Sequence, residues 1–266
     1  MDYNYHTHTS RCSHASGSME EYVLRAIEGG IKYMGFSDHM PFMYPDGKEA
    51  GFRVPIAQAK EYVAEAIGLR EKYRDCTNIN VGFEMEYYAS HFEEMLRSAV
   101  EYGAEYLILG QHHVNLETFL QTKRSSYANW ASDEELSDYV RSVTEAMRTG
   151  VFTYVAHPDV IRYNGSEQTY AEQMRRICIA SVETGTPLEI NFLGIREKRD
   201  YPREDFWKLA GEYGCPVTFG FDAHNVQSAY DGESLLVAMG LVKRYKLNYI
   251  GRPPLMSVAD KASKLL

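Results

Sequence analysis

The segment that most restricts the fold is residues 2–10, DYNYHTHTS, a short apolar run that ends in two histidines. A doubly wound nucleotide-binding sheet would place a glycine-rich phosphate loop directly after its first strand. This chain has His6, Thr7 and His8 at that point instead. An extended backbone points alternate side chains the same way, so we expect His6 and His8 to share one side of the strand.

Six further apolar runs follow the first one, and segments with helical spacing separate most of them. The candidate buried strands are residues 2–6, 32–37, 79–84, 105–110, 152–157, 187–191 and 216–222. The first helix opens at Ser18 with Glu21 three residues later, which is a capping box. Later helices are predicted over residues 56–73, 133–148, 171–183, 203–213 and 233–245. This alternation predicts an α/β fold with parallel pairing, and we favour a TIM-barrel-like (β/α) barrel over an open sheet.

Composition restricts the class of protein. The chain has 266 residues and a formal charge of −9, which argues against a nucleic-acid partner and favours a small ligand. Residues 1–6 have no basic or apolar character typical of a secretory signal, and no apolar run is long enough to span a membrane. The four cysteines form no CxxC pair, so we interpret them as reduced core or incidental residues of a cytoplasmic protein.

Candidate metal ligands recur where the predicted strands end. A barrel opens the carboxyl ends of all its strands onto one face, so these residues would converge. One such histidine could be an ordinary polar residue, but six of the seven strand ends carry histidine or a carboxylate. Imidazole and carboxylate ligands suit zinc, iron and manganese, and we predict a site that holds more than one ion. The residues are His6, His8, His39, Glu84, His112, His113, His157, Asp222 and His224.

Four motifs resemble the polymerase and histidinol phosphatase (PHP) family, and in particular its histidinol-phosphatase branch. They are residues 6–9 (HTHT), 12–15 (CSHA), 36–42 (FSDHMPF) and 82–87 (GFEMEY). The resemblance implies a distorted seven-stranded barrel, in one domain over residues 1–266, that holds three divalent ions of zinc, iron or manganese. The implied ligands are His6, His8, His14, His39, Glu84, His112, His157, Asp222 and His224.

The fourth strand leaves two candidates for one ligand. His113 stands where the family often has an aromatic residue, and we favour His112 as the ligand because of the strand register. Asp38 is either an acceptor that orients a ligand imidazole or a turn residue. Phe221 stands where a small residue is common in the family, and it could narrow the pocket.

A cluster of divalent ions suits the hydrolysis of a phosphate ester, because the ions activate a bridging water and screen the phosphate charge. Arginine binds phosphate oxygens through its bidentate fork, and we predict this role for Arg162 and Arg196. Asp159 is a candidate proton donor to the leaving group, or else it orients Arg162 or His157. The sixth run carries no histidine or carboxylate at its end and is expected to serve the substrate. Residues 40–55 are long enough to form a lid.

The resemblance implies a phosphomonoesterase that hydrolyses L-histidinol phosphate in histidine biosynthesis. The alternatives are a phosphoesterase for a nucleotide or other small phosphate ester, and a non-catalytic module in which metal only stabilises the fold. We expect a small phosphorylated substrate, with no nucleic-acid or membrane partner. The sequence does not indicate an oligomeric state.

Overall fold

Parallel strands and helices alternate along the chain, as the sequence predicts. The structure is a computed structural model that describes residues 1–116, 119–120 and 123–266. The strands are β1 (Tyr3–Asn4), β2 (Tyr33–His39), β3 (Asn78–Met85), β4 (Tyr106–Leu109), β5 (Leu188–Asn191), β6 (Pro216–Gly220) and β7 (Asn248–Tyr249). The helices are α1 (Met19–Glu28), α2 (Ala59–Tyr73), α3 (Phe92–Tyr102), α4 (Asp133–Thr149), α5 (Glu167–Thr184), α6 (Phe192–Arg196), α7 (Glu204–Tyr213), α8 (Gly232–Tyr245) and α9 (Val258–Leu265).

Helix starts follow from local sequence signals. The predicted capping box at α1 is confirmed: the side chain of Ser18 accepts from the backbone of Glu21, and the carboxylate of Glu21 accepts from Ser18 N at 2.7 Å. Ser132 and Glu135 form the same arrangement at the start of α4. Each pair satisfies two backbone N–H groups that the helix leaves free. Residues 56–58, predicted as the first turn of α2, form a separate 3₁₀ turn.

The strands form two parallel sheets. One sheet has the order β1-β2-β3-β4 and the other has the order β5-β6-β7. In the first sheet His39 of β2 pairs with Glu84 of β3. Their side chains therefore leave adjacent strands at the same level. The fold is α/β with parallel strands, as predicted.

The predicted fifth strand, residues 152–157, is wrong as a strand. Only Val155 forms ladder bridges, to Leu109 at the end of β4 and to Leu188 in β5. The chain leaves the extended conformation at His157, whose φ is 31°. A further single bridge joins Thr7 to Ala223. The described strands therefore form an open arrangement of four and three, and β7 takes the seventh place, which the sequence analysis did not predict.

The main hydrophobic core combines buried residues of the helices with buried residues of the strands. A second, smaller cluster of Tyr3, Tyr5, Tyr106, Ile108, Tyr154 and Ala156 lies apart from this core. Tyr106 donates its hydroxyl proton to Tyr5 O at 2.9 Å, which ties β4 to the end of β1. Among the described residues, no helix combines the length and the apolar character needed to cross a bilayer.

Candidate metal centre

The carboxyl ends of the strands converge on one cavity of about 580 Å³. Parallel strands present these ends at the same edge of a sheet, so residues far apart in sequence meet there. The predicted ligands that line the cavity are His8, His14, His39, Glu84, His112, His157, Asp222 and His224. His6 lies behind them, fully buried, with Nε2 3.6 Å from a carboxylate oxygen of Glu84. The structure thus brings all nine together.

Glu84 lies at the centre of this group. A Cβ atom at Gly110 would lie 2.0 Å from its Oε1, so the glycine leaves the space that the carboxylate occupies. Five imidazole nitrogens lie within 3.6 Å of its oxygens: His157 Nε2 at 2.9 Å, His39 Nδ1 at 3.1 Å, His112 Nε2 at 3.4 Å, His8 Nε2 at 3.5 Å and His6 Nε2 at 3.6 Å. One carboxylate that faces so many imidazoles suits a ligand of a divalent cation.

Asp222 forms the opposite side of the centre. Its Oδ1 lies 3.2 Å from His8 Nε2, 3.6 Å from His6 Nε2 and 3.2 Å from His224 Nδ1. The φ of Asp222 is 47°, a left-handed conformation that turns the chain directly after β6. This turn directs the carboxylate toward the histidines that follow β1.

The unpaired atoms of the cluster test whether it fits metal. Among the described residues, six buried atoms of the candidate ligands have no hydrogen-bond partner: His6 Nε2, His8 Nε2, His39 Nδ1, Glu84 Oε2, His157 Nδ1 and Asp222 Oδ1. Leaving such atoms unpaired is costly unless a ligand satisfies them. Nitrogen and carboxylate oxygen are donors that divalent cations bind, and several triads have their donor atoms within 4.8 Å of one another. The residues fit divalent metal.

Electrostatics holds the carboxylates ionised. Burial raises the pKa of Glu84, but the neighbouring imidazoles of His112 and His6 outweigh burial and hold the pKa well below its usual range. Burial lowers the pKa of His6, yet the carboxylates of Glu189, Asp222 and Glu84 raise it to about 10. The histidines of the cluster differ, because burial lowers the pKa of His39 to about 3.

Three buried carboxylates support the ligand imidazoles from behind. Nδ1 of His6 donates to Glu189 at 2.8 Å, and Nδ1 of His8 and of His112 lie 3.4 Å and 3.3 Å from Asp38 and Glu86. Such contacts fix the ring orientation and leave Nε2 free for metal. Asp38 therefore acts as the acceptor that the sequence left open. The sixth apolar run was expected to serve the substrate. Glu189, which belongs to this run, instead supports a candidate metal ligand.

Glu86 is held in turn by a buried arginine. Nη2 of Arg53 lies 2.6 Å from Glu86 Oε2, and Nη1 donates to Met40 O at 2.8 Å. Both charged side chains are 1% exposed. Arg53 belongs to the predicted lid, and its neighbour Phe52 lines the cavity edge-on to the His39 ring. The segment is thus anchored at the site by an ion pair.

His112 and His113 have different surroundings. His112 faces Glu84, whereas the His113 ring stacks on Phe119 with ring centres 3.8 Å apart. Burial lowers the pKa of His113 to about 3, so this ring is neutral. The geometry therefore places His112, and not His113, among the candidate ligands.

Asp159 does not point into the cavity. Its Oδ2 accepts bonds from Arg203 N at 2.6 Å and from Trp207 Nε1 at 3.0 Å, at the start of α7. Burial raises the pKa of its carboxyl to about 7, although these hydrogen bonds oppose the shift. Asp159 is not among the described residues that line the cavity, and its contacts join the His157 loop to α7. Nor does Asp159 orient Arg162 or His157 through any of its hydrogen bonds in the described residues.

The two predicted arginines also lie outside the cavity wall. Arg162 pairs with Asp200 at 2.5 Å and stacks over the Trp130 ring. Arg196 donates to Phe221 O at 2.8 Å and to Asp222 O at 3.0 Å, and so supports the turn that carries Asp222. Sequence position placed both near the site, but their partners turn the guanidinium groups elsewhere.

The sequence analysis missed Arg199, Tyr201 and Cys12, all of which line the cavity. Arg199 is the one lysine or arginine among the described lining residues, and its Nη1 donates to Tyr201 OH at 3.3 Å. Its position three residues after Arg196, just beyond the end of α6, was the available signal. Phe221, by contrast, is buried against Phe192 and does not line the cavity.

Comparison with known proteins identifies the family. The family model described as "PHP domain" matches residues 4–192. The chain belongs to the PHP domain family. Seven of the nine candidate ligands lie within the span that the PHP domain covers, and Asp222 and His224 follow it.

Proteins named histidinol-phosphatase, and one solved structure, are similar to this PHP chain over most of its length. A "Probable histidinol-phosphatase" of Deinococcus radiodurans is 26% identical, over 82% of this chain and 85% of the relative. The "Histidinol-phosphatase" of Bacillus subtilis is also 26% identical, over 82% of this chain and 92% of the relative. The fold resembles the crystal structure of histidinol phosphate phosphatase from Lactococcus lactis, which was solved with zinc, L-histidinol and phosphate. That match has a TM-score of 0.72, 19% identity and coverage of 97% of both chains.

Proposed function

We propose that this protein is a metal-dependent phosphomonoesterase that hydrolyses L-histidinol phosphate to L-histidinol and phosphate. The observation that carries the proposal is the arrangement around Glu84, where five imidazoles face one carboxylate at the wall of an open cavity. A structural metal site is usually closed and uses four ligands on one ion. Nine converging donors beside a cavity suit a catalytic cluster, and the named relatives support the substrate.

The metal content is part of the proposal. Three divalent ions of zinc, iron or manganese would be held by His6, His8, His14, His39, Glu84, His112, His157, Asp222 and His224. When bound, such ions supply an activated water at neutral pH and positive charge that stabilises the transferring phosphoryl group. The chain holds the imidazoles in place through Glu189, Asp38 and Glu86, which keeps Nε2 of His6, His8 and His112 directed at the cluster.

Arg199 is the residue that we assign to the substrate phosphate. Its guanidinium pairs with Glu197 at 2.6 Å and with the hydroxyl of Tyr201, and all three side chains line the cavity. These contacts preorganise a planar cation next to the metal ligands, where a dianionic phosphate gains most from it. We do not assign phosphate binding to Arg162 and Arg196, because their side chains do not line the cavity.

The cavity wall also suits the organic half of the substrate. Phe52, Tyr127, Val160 and Leu193 form apolar parts of the wall. A cavity of about 580 Å³ has the size of ordinary small-molecule sites. Its volume is small for a nucleic-acid strand, in line with the acidic net charge of −9.

We also propose that residues 1–266 form one domain and that the two sheets act as halves of one distorted barrel. The single bridges of Val155 and of Thr7 support this view, because they join the sheets on both sides. The cavity that holds the candidate ligands is bordered by both sheets. A small cytoplasmic phosphate ester remains the expected class of partner.

The test is phosphate release by metal-loaded protein from L-histidinol phosphate and from a panel of mononucleotides. We expect turnover of L-histidinol phosphate to exceed that of every nucleotide, and chelation followed by dialysis to abolish it. Equal or faster hydrolysis of a nucleotide would favour the alternative, a phosphoesterase that acts on a nucleotide or another small phosphate ester. No hydrolysis of any ester by protein with full metal content would leave only a structural role for the metal.

A further inference from the structure

The outer wall of the cavity carries a sulfur atom beside two histidines. Cys12 ends the 3₁₀ turn Ser10–Cys12, is fully buried, and lines the cavity. Its Sγ lies 3.9 Å from His14 Nε2 and donates to Thr9 O at 3.1 Å. The other cysteines are elsewhere: Cys76 is exposed, and Cys178 and Cys215 contact each other in the core.

The hydrogen bonds of His14 and His224 define the direction of their free lone pairs. Nδ1 of His14 lies 2.7 Å from Cys12 O, and Nδ1 of His224 lies 3.2 Å from both Asp222 O and Asp222 Oδ1. A carbonyl or a carboxylate accepts only, so each ring carries its proton on Nδ1. Both Nε2 lone pairs then face each other across 3.0 Å. Two facing lone pairs are satisfied either by a proton in an N–H···N hydrogen bond or by a metal cation that binds both nitrogens.

The sulfur completes a group of three donors. Cys12 Sγ, His14 Nε2 and His224 Nε2 all lie within 4.8 Å of one another. Zinc bonds of about 2.0–2.1 Å to nitrogen and about 2.3 Å to sulfur require donors roughly 3.3–3.6 Å apart in a tetrahedron. The separations of 3.0 Å and 3.9 Å lie on either side of that range. The third pair, Cys12 Sγ and His224 Nε2, lies within 4.8 Å, so shifts of these side chains would bring all three donors onto one ion.

Neighbouring atoms point independently to a cation at this corner. His8 and His39 are buried, and each has a ring nitrogen without a partner among the described residues. Together with His224 they form a second triad whose donor atoms lie within 4.8 Å. His224 therefore stands between two groups of donors, and Cys12 is on the outer one.

We propose that Cys12 Sγ binds the outermost ion of the cluster together with His14 Nε2 and His224 Nε2. This inference rests on the proposed metal-dependent function and deepens it. The thiol would release its proton on binding the ion. A thiolate donor favours zinc, whereas the inner ligands are nitrogen and oxygen alone and accept manganese or iron as well. The outer position is therefore a zinc site within a cluster of less selective positions.

Cobalt substitution tests the sulfur donor directly. The chelated full-length protein is loaded with Co²⁺, and its near-ultraviolet spectrum is recorded. A thiolate-to-cobalt charge-transfer band is expected, and it is lost in Cys12→Ser but kept in the matched control Cys76→Ser. A protein with full cobalt content and no band overturns the proposal, as does a band that Cys12→Ser leaves unchanged. Absence of the band from cobalt-loaded wild type overturns the proposal even if the serine variant does not fold.

Metal competition tests the selectivity. Zinc-loaded protein is dialysed against excess manganese, and bound metals are measured. Wild type and Cys76→Ser are expected to keep one zinc ion that Cys12→Ser loses, and equal zinc retention in all three contradicts the selectivity. Phosphate release from L-histidinol phosphate is measured on the same cobalt-loaded sample. Turnover without the band removes the cysteine ligand and keeps the phosphatase, whereas the band without turnover does the reverse.

Discussion

Nδ1 of His6 donates a hydrogen bond to Oε1 of Glu189 at 2.8 Å, and neither side chain is exposed to solvent. The other oxygen of Glu189 accepts bonds from His157 N at 3.1 Å and from Asn191 Nδ2 at 2.9 Å. Asn191 Nδ2 also donates to Asp222 Oδ2 at 3.0 Å. Two residues of β5 thus hold three candidate ligands in place without facing the cavity.

Replacing Glu189 tests this support. We expect Glu189→Gln to lower metal affinity about 10- to 100-fold, because the neutral amide no longer holds the His6 ring in the tautomer that frees Nε2. The measurement is zinc competition against a chromophoric chelator. Glu212→Gln, at an exposed position on α7, is the control and should bind zinc like wild type. Unchanged affinity in Glu189→Gln would mean that the contact does not support the metal.

The Arg53–Glu86 pair should contribute to stability through its burial. Arg53→Met leaves Glu86 charged and without its partner, which is expected to cost about 3–5 kcal/mol. The double variant Arg53→Met/Glu86→Gln should recover part of this loss, because no uncompensated charge remains. Urea unfolding of metal-free protein gives both numbers. A loss below about 1 kcal/mol in Arg53→Met would show that water reaches the pair.

Arg199 and Arg162 form a matched comparison for phosphate binding. Arg199→Ala should raise KM for L-histidinol phosphate about tenfold or more, since a hydrogen bond to a charged group contributes about 1.5–3 kcal/mol. Arg162→Ala should leave KM close to the wild-type value, because its guanidinium pairs with Asp200 outside the cavity. Initial rates and metal content are measured for both. A larger effect from Arg162→Ala would restore the role first predicted for it.

Arg196 should affect metal rather than substrate. It donates to the carbonyls of Phe221 and Asp222, which precede His224. We expect Arg196→Ala to loosen this turn and to reduce the metal retained after dialysis, while KM at saturating metal changes little. Elemental analysis with steady-state kinetics separates the two effects. Full metal retention combined with a raised KM would favour direct substrate binding.

The raised pKa of the Asp159 carboxyl predicts that the free energy of unfolding depends on pH. Burial raises the pKa of its carboxyl from 3.8 to about 7 in the folded protein. Between these values the folded protein keeps a proton that the unfolded chain has lost, so stability falls as pH rises from about 4 to 7. The cost at pH 8 is about 4 kcal/mol, and Asp159→Asn should remove it. Urea unfolding at pH 5 and pH 8 measures the difference between the two proteins.

The pH dependence of the rate tests whether Asp159 transfers protons. Because its carboxyl faces Arg203 N and Trp207 Nε1, Asp159→Asn should keep the shape of the pH–rate profile. A lost limb in that profile would return the proton-donor role to Asp159. An identical pH dependence of stability in variant and wild type would instead contradict the raised pKa.

The candidate ligands could be predicted from the sequence because each stands at or near the end of a short apolar run. His6, His39, Glu84, His112 and Asp222 each end or follow a short apolar run, and parallel strands bring such ends together whatever lies between them. Helices with clear caps, such as α1, could also be predicted, since backbone and side chain satisfy each other within four residues.

Side-chain direction on the loops depended on packing between distant segments. Whether Arg162, Arg196 or Arg199 faces the cavity is decided by Asp200, by the carbonyl groups of Phe221 and Asp222, and by Glu197 and Tyr201. Long side chains have many conformations of similar energy, and a partner in another part of the fold selects one of them.

Packing between distant segments also decided the extent of one strand and the residues that support the candidate ligands. Apolar residues 152–157 have the composition of a strand, but neighbours on both sides and the left-handed turn at His157 reduce the ladder to Val155. Glu189 and Asn191 showed no ligand pattern in sequence, yet they contact His6 and Asp222 once the sheets are assembled. The sequence alone therefore determined which candidate ligands stand at the strand ends. The residues that orient those ligands were decided only by the tertiary structure, because hydrogen bonds between residues so far apart in sequence form only in the folded protein.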